Sequence, residues 1–176
     1  MTGPLNRRFV MTLAGTVGGV ASMAPARAHT PDVKNPSGME NKTVLRIPKD
    51  NPTFAASIGS YEKYGYSPAV RAGGLLFIAG QVGRRPDGRI ADTVAEQAEL
   101  ALQRTAEILR LEELTMADLV EVVSYHVDLK NNIEPFMEIK KKYTAKPYPA
   151  WSIIGVDALA SPDLKIEIRS IAALRR

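Results

Sequence analysis

The pattern of apolar and polar residues predicts a β-hairpin in the first half of the chain. Apolar runs at 69–72 and 75–79 are separated by only two glycines. Two glycines between such runs favour a tight turn, because glycine adopts positive φ without strain. An earlier alternation at 43–47 stops at Pro48 and predicts one short edge strand.

Two helices are predicted after the hairpin. Thr93 and Glu96 have the spacing of a capping box, and apolar residues then recur at helical spacing to about residue 111. The opposite, polar face of this helix contains Glu96, Gln103, Arg104 and Glu107. Asn132 is predicted to cap the second helix, which ends before Pro147.

Further alternations predict a long strand over 119–129 and two final strands over 151–156 and 165–173. The order hairpin, helix, strand, helix, strand, strand predicts an α+β fold in which two helices cover one face of a mixed sheet. The other face stays partly apolar. Because a monomer seldom exposes a large apolar sheet, this face predicts association with other copies of the chain.

The first 28 residues have the features of an export signal. Arg7 and Arg8 precede a weakly apolar stretch that is rich in Gly, Thr and Ser and ends in Ala26-Arg27-Ala28. Paired arginines and a small-x-small ending are typical of a cleavable twin-arginine signal peptide. We therefore expect the twin-arginine machinery to export the chain to the periplasm, with no stable membrane association after cleavage. The alternative is a retained membrane anchor, which the many small polar residues disfavour.

Charge and composition exclude several kinds of function. Residues 1–28 contain three of the 23 basic residues and no acidic one, so the remainder carries 20 basic and 19 acidic residues. This near balance predicts no nucleic-acid partner. The chain has no cysteine, which excludes disulfides, a thiolate nucleophile and cysteine metal ligands. Since His29 and His126 are its only histidines, no metal site is predicted.

Four segments in order resemble the Rid (YjgF-type) enamine/imine deaminase family. They are Gly65-Tyr66-Ser67-Pro68-Ala69-Val70-Arg71, Leu76-Phe77-Ile78-Ala79-Gly80-Gln81, Pro149-Ala150-Trp151-Ser152 and Lys165-Ile166-Glu167-Ile168 with Ile171-Ala172 after it. Together with the export signal, the resemblance, which runs from about residue 61 to 174, divides the chain into a signal peptide at 1–28, a tail with a possible edge strand at 29–60 and a Rid-like domain at 61–176.

The resemblance implies a chorismate-mutase-like fold, a homotrimer, and clefts between subunits that hold a small ligand. Active members hydrolyse reactive enamines and imines without a cofactor. The catalytic acid of the family corresponds to Glu167 and its tyrosine to Tyr66. The ligand-binding positions correspond to Trp151, Ala79, Gly80 and Gln81.

Position 151 departs from the family, whose members have a carboxylate-binding arginine there. An indole has one N–H donor and no charge, so it cannot replace a guanidinium that forms two parallel bonds. We therefore expect poor binding of the usual amino-acid imines and a hydrolase for another small enamine- or imine-type metabolite. The alternative is a non-catalytic trimer that binds a small ligand or a protein. Each residue also has a structural interpretation: Glu167 as a solvent-facing strand residue, Tyr66 as an interface residue and Trp151 as core.

Overall fold

The computed structural model describes residues 42–175; the predicted signal peptide and the start of the predicted tail lie outside the described residues. The elements are β1 (Thr43–Val44), α1 (Ile58–Tyr64), β2 (Ala69–Ala72), β3 (Leu75–Val82), α2 (Val94–Leu111), β4 (Leu119–Val127), α3 (Leu129–Tyr143), β5 (Ala150–Val156) and β6 (Ile166–Ala173), with one 3-10 turn at Met116–Asp118.

The strands form one six-stranded mixed sheet in the order β1-β2-β3-β6-β4-β5. All neighbours are antiparallel except β4 and β5, which are joined by α3 and run parallel. α2 and α3 cover one face, and their apolar residues make the core with the sheet, as in Leu102, Ile108, Phe136, Ile166 and Ile168. The predicted α+β class is confirmed. Within residues 42–175, none of the helices combines the length and the apolar character needed to cross a bilayer.

The hairpin and α2 have the local geometry that their sequences predict. Gly73 and Gly74 have φ of 59° and 77°, the left-handed values that a tight hairpin turn requires. Thr93 caps α2, because its side chain accepts a hydrogen bond of 3.2 Å from the backbone N–H of Glu96. Both predictions are confirmed.

The junction between β4 and α3 differs from the prediction. β4 ends at Val127, and α3 begins at Leu129 with Asp128 as its N-cap, so Asn132 is not the cap. Asp128 has φ of 51°, a left-handed conformation that aspartate tolerates better than most residues. This single residue turns the chain from strand to helix. Asn132 lies in the first turns of α3 and donates to the carbonyl of Val127 at 2.8 Å.

The first part of the described chain also differs from the sequence expectation. The edge strand is limited to Thr43–Val44, which pairs with β2. The apolar pattern predicts no helix at α1, because its seven residues are too few to show a clear apolar period. Phe54, which precedes α1, is fully buried in the core.

A β-bulge in β3 shapes the end of the sheet where the pocket described below lies. Ile78 pairs with Ser170, but the next pair is Gln81 with Ile168, so two residues of β3, Ala79 and Gly80, oppose the single Arg169 of β6. The extra residue changes which face each following side chain occupies. As a result Gln81 lies on the helix-covered face and is almost fully buried.

The face of the sheet opposite the helices is partly apolar, as predicted. Phe77 is 40% exposed and Ile154 is 41% exposed. Phe77 pairs with Ile171, whose side chain therefore lies on the same face. Association through this face stays a prediction.

Candidate functional site

A pocket of about 480 Å³ opens beside the end of β3. β2 pairs with β3 only as far as Ile78, so the last residues of β3 are free of a strand on that side. α1, α2 and the segment before β6 close the space, and the lining includes Tyr61, Tyr66, Gly80, Gln81, Arg104 and Glu167. This volume is within the range of small-molecule sites.

Glu167 lies on β6 with its carboxyl group over the backbone of Gly80. A Cβ atom at Gly80 would overlap Glu167 Oε1, so the glycine makes room for the carboxyl group. Within the described chain, this carboxyl group forms no hydrogen bond or ion pair. Partial burial raises the pKa of Glu167, because the charged form loses solvation. A partly desolvated carboxyl group that faces a pocket is a candidate for a general base or acid.

Two tyrosines form one wall of the pocket. The rings of Tyr61 and Tyr66 meet edge to face, with centroids 5.1 Å apart. Gly65 ends α1 at φ of 68°, and the backbone N–H of Tyr66 then donates to the carbonyl of Tyr61 at 3.1 Å. Burial raises the pKa of Tyr66, while the charge of Arg104 opposes this rise and that of Glu167 adds to it. Tyr66 thus interacts electrostatically with both charged groups.

Arg104 lies inside the protein, which corrects the prediction that it belongs to the polar face of α2. Its exposed fraction is 6%, and its guanidinium lies 4.3 Å from the ring centre of Phe54. Nε donates to Gln81 Oε1 at 3.2 Å, Nη1 to the Thr53 carbonyl at 3.1 Å and Nη2 to Ser57 Oγ at 3.2 Å. The prediction was wrong because the segment before α1 covers this part of the helix.

The structure brings together most of the residues that the sequence predicted as a site. Tyr66, Ala79, Gly80, Gln81 and Glu167 all line the pocket. Their roles in catalysis and ligand binding stay predictions.

Trp151 is not in this pocket of the single chain. It lies on β5, where its Nε1 donates to Ser124 Oγ at 3.1 Å. Its ring packs against Phe136 at 6.0 Å between centroids, and Lys140 Nζ lies 4.5 Å from its ring centre. Within one chain the indole therefore has the structural role of a residue packed on the core. A contact between Trp151 and a ligand in an assembled cleft stays a prediction.

Sequence reasoning missed Arg104, Tyr61 and Arg84 in the lining of this pocket. A signal for Arg104 was present, because it follows the buried Ala101 by three residues and precedes the buried Ile108 by four. Residues at these spacings share a side of the helix. Tyr61 is in α1, for which the sequence carried no clear helical period.

The sheet order, the two packed helices and the pocket define a YjgF-type α+β protein. A family model described as Endoribonuclease L-PSP matches residues 60–174. The chain therefore belongs to this family, which is the Rid/YjgF family. Membership supports a function that involves small molecules.

Two curated relatives and two solved structures illustrate the similarity. RutC family protein YjgH of Escherichia coli (strain K12) is 38% identical over 109 residues, which cover 61% of this chain and 83% of the relative. Reactive Intermediate Deaminase A, chloroplastic, of Arabidopsis thaliana is 34% identical over 111 residues, covering 62% of this chain and 58% of the relative. A solved structure of Protein YJGH has a TM-score of 0.61 at 37% identity, covering 66% of this chain and 88% of that one. Escherichia coli TdcF, solved with bound serine, has a TM-score of 0.56 at 30% identity, covering 61% and 87%.

Proposed function

We propose that the pocket hydrolyses the C=N bond of a small enamine- or imine-type metabolite other than the common amino-acid imines. The observation that carries this proposal is the Glu167 carboxyl group, which faces the pocket without a partner in residues 42–175 and has a raised pKa. A carboxyl group that can accept and return a proton is what this hydrolysis needs. The similarity to the relative from Arabidopsis thaliana that is named Reactive Intermediate Deaminase A also supports the proposal.

Glu167 would act on the attacking water. Its carboxylate accepts a proton as the water oxygen bonds to the imine carbon, and it then returns the proton to the nitrogen. The resulting carbinolamine then loses its hydroxyl proton to the same carboxylate, which passes this proton to the amino nitrogen as the C–N bond breaks, so that ammonia leaves and a carbonyl compound remains. No electron is lost or gained, so no redox partner is required. Tyr66, whose raised pKa keeps it protonated at neutral pH, can donate a hydrogen bond to the substrate.

The indole at position 151 supports a changed substrate. Trp151 supplies no positive charge, so the cation that relatives use for the carboxylate of amino-acid imines is missing from β5. The walls of the pocket are instead aromatic, with Tyr61, Tyr64 and Tyr66. These side chains favour a substrate with a flat apolar part.

The proposal includes a homotrimer with the cleft completed by a second copy of the chain. The exposed apolar residues Phe77 and Ile154 on the open face of the sheet support association. Analytical ultracentrifugation of the purified chain measures the assembly. A monomer at micromolar concentration contradicts this part of the proposal.

The proposal also places the mature protein in the periplasm after cleavage at Ala28, supported by the twin arginines and the small-x-small ending. Cell fractionation followed by N-terminal sequencing tests this. Recovery of the uncleaved chain from the cytoplasm alone contradicts it.

The second candidate is a non-catalytic trimer that binds a small ligand or a protein in the same cleft. Trp151 favours this candidate, because a cleft that lacks the usual cation has lost one part of the deaminase machinery. The two candidates can be distinguished by measurement, because ligand binding does not require Glu167 to accept and return a proton, whereas hydrolysis does.

The measurement that distinguishes the two candidates is the rate of ammonia release from imines that an amino-acid oxidase generates in situ. We expect the wild type to accelerate release from the imine of phenylglycine but hardly from that of alanine. Glu167→Gln removes the general base and is expected to lower the rate about 100-fold. Trp151→Arg is expected to raise the rate with the alanine imine, because it restores a cation.

Glu138→Gln is the matched control, since Glu138 lies on the exposed side of α3 and pairs with Lys141. It should leave the rate unchanged. Fast wild-type turnover of the alanine imine contradicts a changed substrate. Equal rates for the wild type and Glu167→Gln contradict catalysis and favour the binding module.

A further inference from the structure

Arg104 is a buried charge without a counter-charge in the described residues. Its three hydrogen-bond acceptors are an amide oxygen, a backbone carbonyl and a hydroxyl group, all neutral. Within residues 42–175, no carboxylate lies at ion-pair distance from it. Since an arginine side chain stays protonated in proteins, the charge cannot be removed by losing a proton. A buried charge is normally paired with an opposite charge, and the guanidinium of Arg104 lacks such a partner in the described residues.

The guanidinium of Arg104 keeps donors for a ligand. It has five N–H groups, and the three hydrogen bonds use one each on Nε, Nη1 and Nη2. One N–H on each Nη atom therefore remains, and the residue lines the pocket. Two donors on one planar group match the geometry of a carboxylate.

Tyr61 provides a second, independent observation in the same pocket. Its hydroxyl oxygen is buried and has no hydrogen-bond partner in the described part of the chain. Burial raises the pKa of Tyr61 to about 12, so the hydroxyl keeps its proton at neutral pH and can donate it in a hydrogen bond. A buried hydroxyl group without a partner is uncommon, because leaving it unpaired costs its solvation.

We propose that Arg104 and Tyr61 bind the carboxylate of the ligand, and that the ligand is a small monocarboxylate with a flat apolar part. The carboxylate neutralises the buried guanidinium and accepts the Tyr61 O–H. This inference deepens the proposed function and rests on it in assigning the same pocket. The ligand is thus held from α2 and α1, in place of the cation that the family has on β5.

The charged residues of the pocket favour a ligand with a single negative charge. Arg104 is the deeply buried cation of the pocket, whereas Arg84 donates to the backbone carbonyl of Gly88 and is only half-buried, so solvent screens its charge. The carboxyl group of Glu167 in the same lining repels a second negative charge. The volume of about 480 Å³ and the tyrosine wall accommodate one aromatic ring with its carboxylate.

The experiment compares benzoate with benzamide, which has nearly the same shape and no charge, by NMR titration of the purified wild type. Neither probe is hydrolysed, so the result does not depend on catalysis. We expect benzoate to bind at least ten times more tightly, because a hydrogen bond to a charged group is worth more than one between neutral groups. Equal affinity for the two probes, or no binding of benzoate, overturns the proposal without touching the result for ammonia release.

Variants then assign the binding to its residues. Arg104→Met should abolish the preference for benzoate, Arg104→Lys should restore part of it, and Tyr61→Phe should weaken benzoate about threefold to tenfold. Arg110→Met is the matched control on the same helix, because Arg110 is exposed and pairs with Glu107. If Arg104→Met does not fold, the proposal is still tested by the affinity of Tyr61→Phe for benzoate and by the comparison of benzoate with benzamide in the wild type. A full preference in Arg104→Met, or its loss in Arg84→Met alone, overturns the assignment.

Discussion

The carboxyl group of Glu167 lies over the backbone of Gly80, and neither residue has an unusual character in isolation. On an ordinary antiparallel strand, a glutamate between Lys165 and Arg169 would face solvent. Here a glycine on the neighbouring strand lets the carboxyl group come close to β3, where it is partly desolvated and its pKa rises. The raised pKa of Glu167 therefore depends on the absence of a side chain at Gly80 on the neighbouring strand.

Gly80→Ala tests this dependence. The added Cβ would overlap Glu167 Oε1, and the flexible carboxyl group must move to another position. We expect ammonia release to fall about 100-fold, because a displacement of about 1 Å in a catalytic group has an effect of this size. The free energy of unfolding should change little, since the overlap is with a flexible side chain and not with backbone.

Gly59→Ala is the control for Gly80→Ala, because it makes the same chemical change in α1 where no atom lies within 4 Å of the new Cβ. Rates are measured at equal protein concentration, with folding checked by circular dichroism. Full activity of Gly80→Ala would show that the position of the carboxyl group does not limit the reaction.

Arg104 and Trp151 show what the sequence could not give at the residue scale. Helical spacing placed Arg104 on the polar side of α2, and the family pattern placed Trp151 in the ligand site. The structure buries Arg104 in the pocket and packs Trp151 against Phe136. Both outcomes depend on which segment covers a given side chain, and the helical spacing of Arg104 can suggest such a cover but cannot decide it.

At the scale of elements, the close approach of β3 and α2 depends on the bulge and on a second glycine. After the bulge the chain passes Gly83, where a Cβ would overlap the backbone Cα of Gln97 in α2. Gln97 is fully buried and donates to the carbonyls of Ala91 and Asp163 at 2.7 and 2.9 Å. These bonds join the helix to the loop that precedes it and to the loop that precedes β6.

Gly83→Ala should therefore be strongly destabilising. The overlap is with helix backbone, so α2 must shift as a whole instead of one flexible side chain moving. We expect the free energy of unfolding to fall by about 3 kcal/mol. Urea unfolding followed by circular dichroism measures it. A loss below about 1 kcal/mol would mean that α2 and the segment after β3 separate easily, contrary to the packing described here.

The elements themselves were largely predictable, and their ends were less so. The hairpin glycines, the Thr93 cap and the apolar period of α2 are local signals, and each was confirmed. The predicted start of α3 was wrong. The N-cap is the left-handed Asp128, whereas the sequence pattern favoured Asn132 as the cap. The short α1 is held by packing on Phe54 and the core more than by its own pattern.

For the whole molecule, the sheet separates a helix-covered face from an open face with exposed apolar residues. The covered face contains His126, which is fully buried and packs edge to face on Phe136 at 4.6 Å. Within residues 42–175 neither of its ring nitrogens has a hydrogen-bond partner. Desolvation lowers the pKa of His126 from 6.5 to about 4, so the folded protein holds it neutral.

This histidine predicts a loss of stability in mild acid. The unfolded chain binds a proton at His126 below pH 6.5, whereas the folded chain does so only near pH 4. Stability is therefore complete above pH 6.5 and falls as the pH falls towards 4. From the two pKa values we expect a loss of about 2 kcal/mol between pH 7 and pH 5.

His126→Leu removes the titration and keeps an apolar side chain against Phe136. Urea unfolding of both proteins at pH 7 and pH 5 gives the comparison. The variant should lose about 2 kcal/mol less than the wild type over this interval. Parallel losses in the two proteins would indicate that His126 is protonated equally easily when folded, and thus that it is not desolvated.

The sequence by itself determined the α+β class, the order of the strands and of the two packed helices along the chain, and membership of the Rid/YjgF family. These properties follow from the local period of apolar residues, from turn residues and from segments that relatives share. Only the tertiary structure decided that Arg104 is buried without a carboxylate partner in the described residues, that a bulge turns Gln81 inward, and that Trp151 packs on the core of its own chain. The physical reason is that burial and charge compensation depend on contacts between segments far apart in sequence, which a local pattern cannot specify.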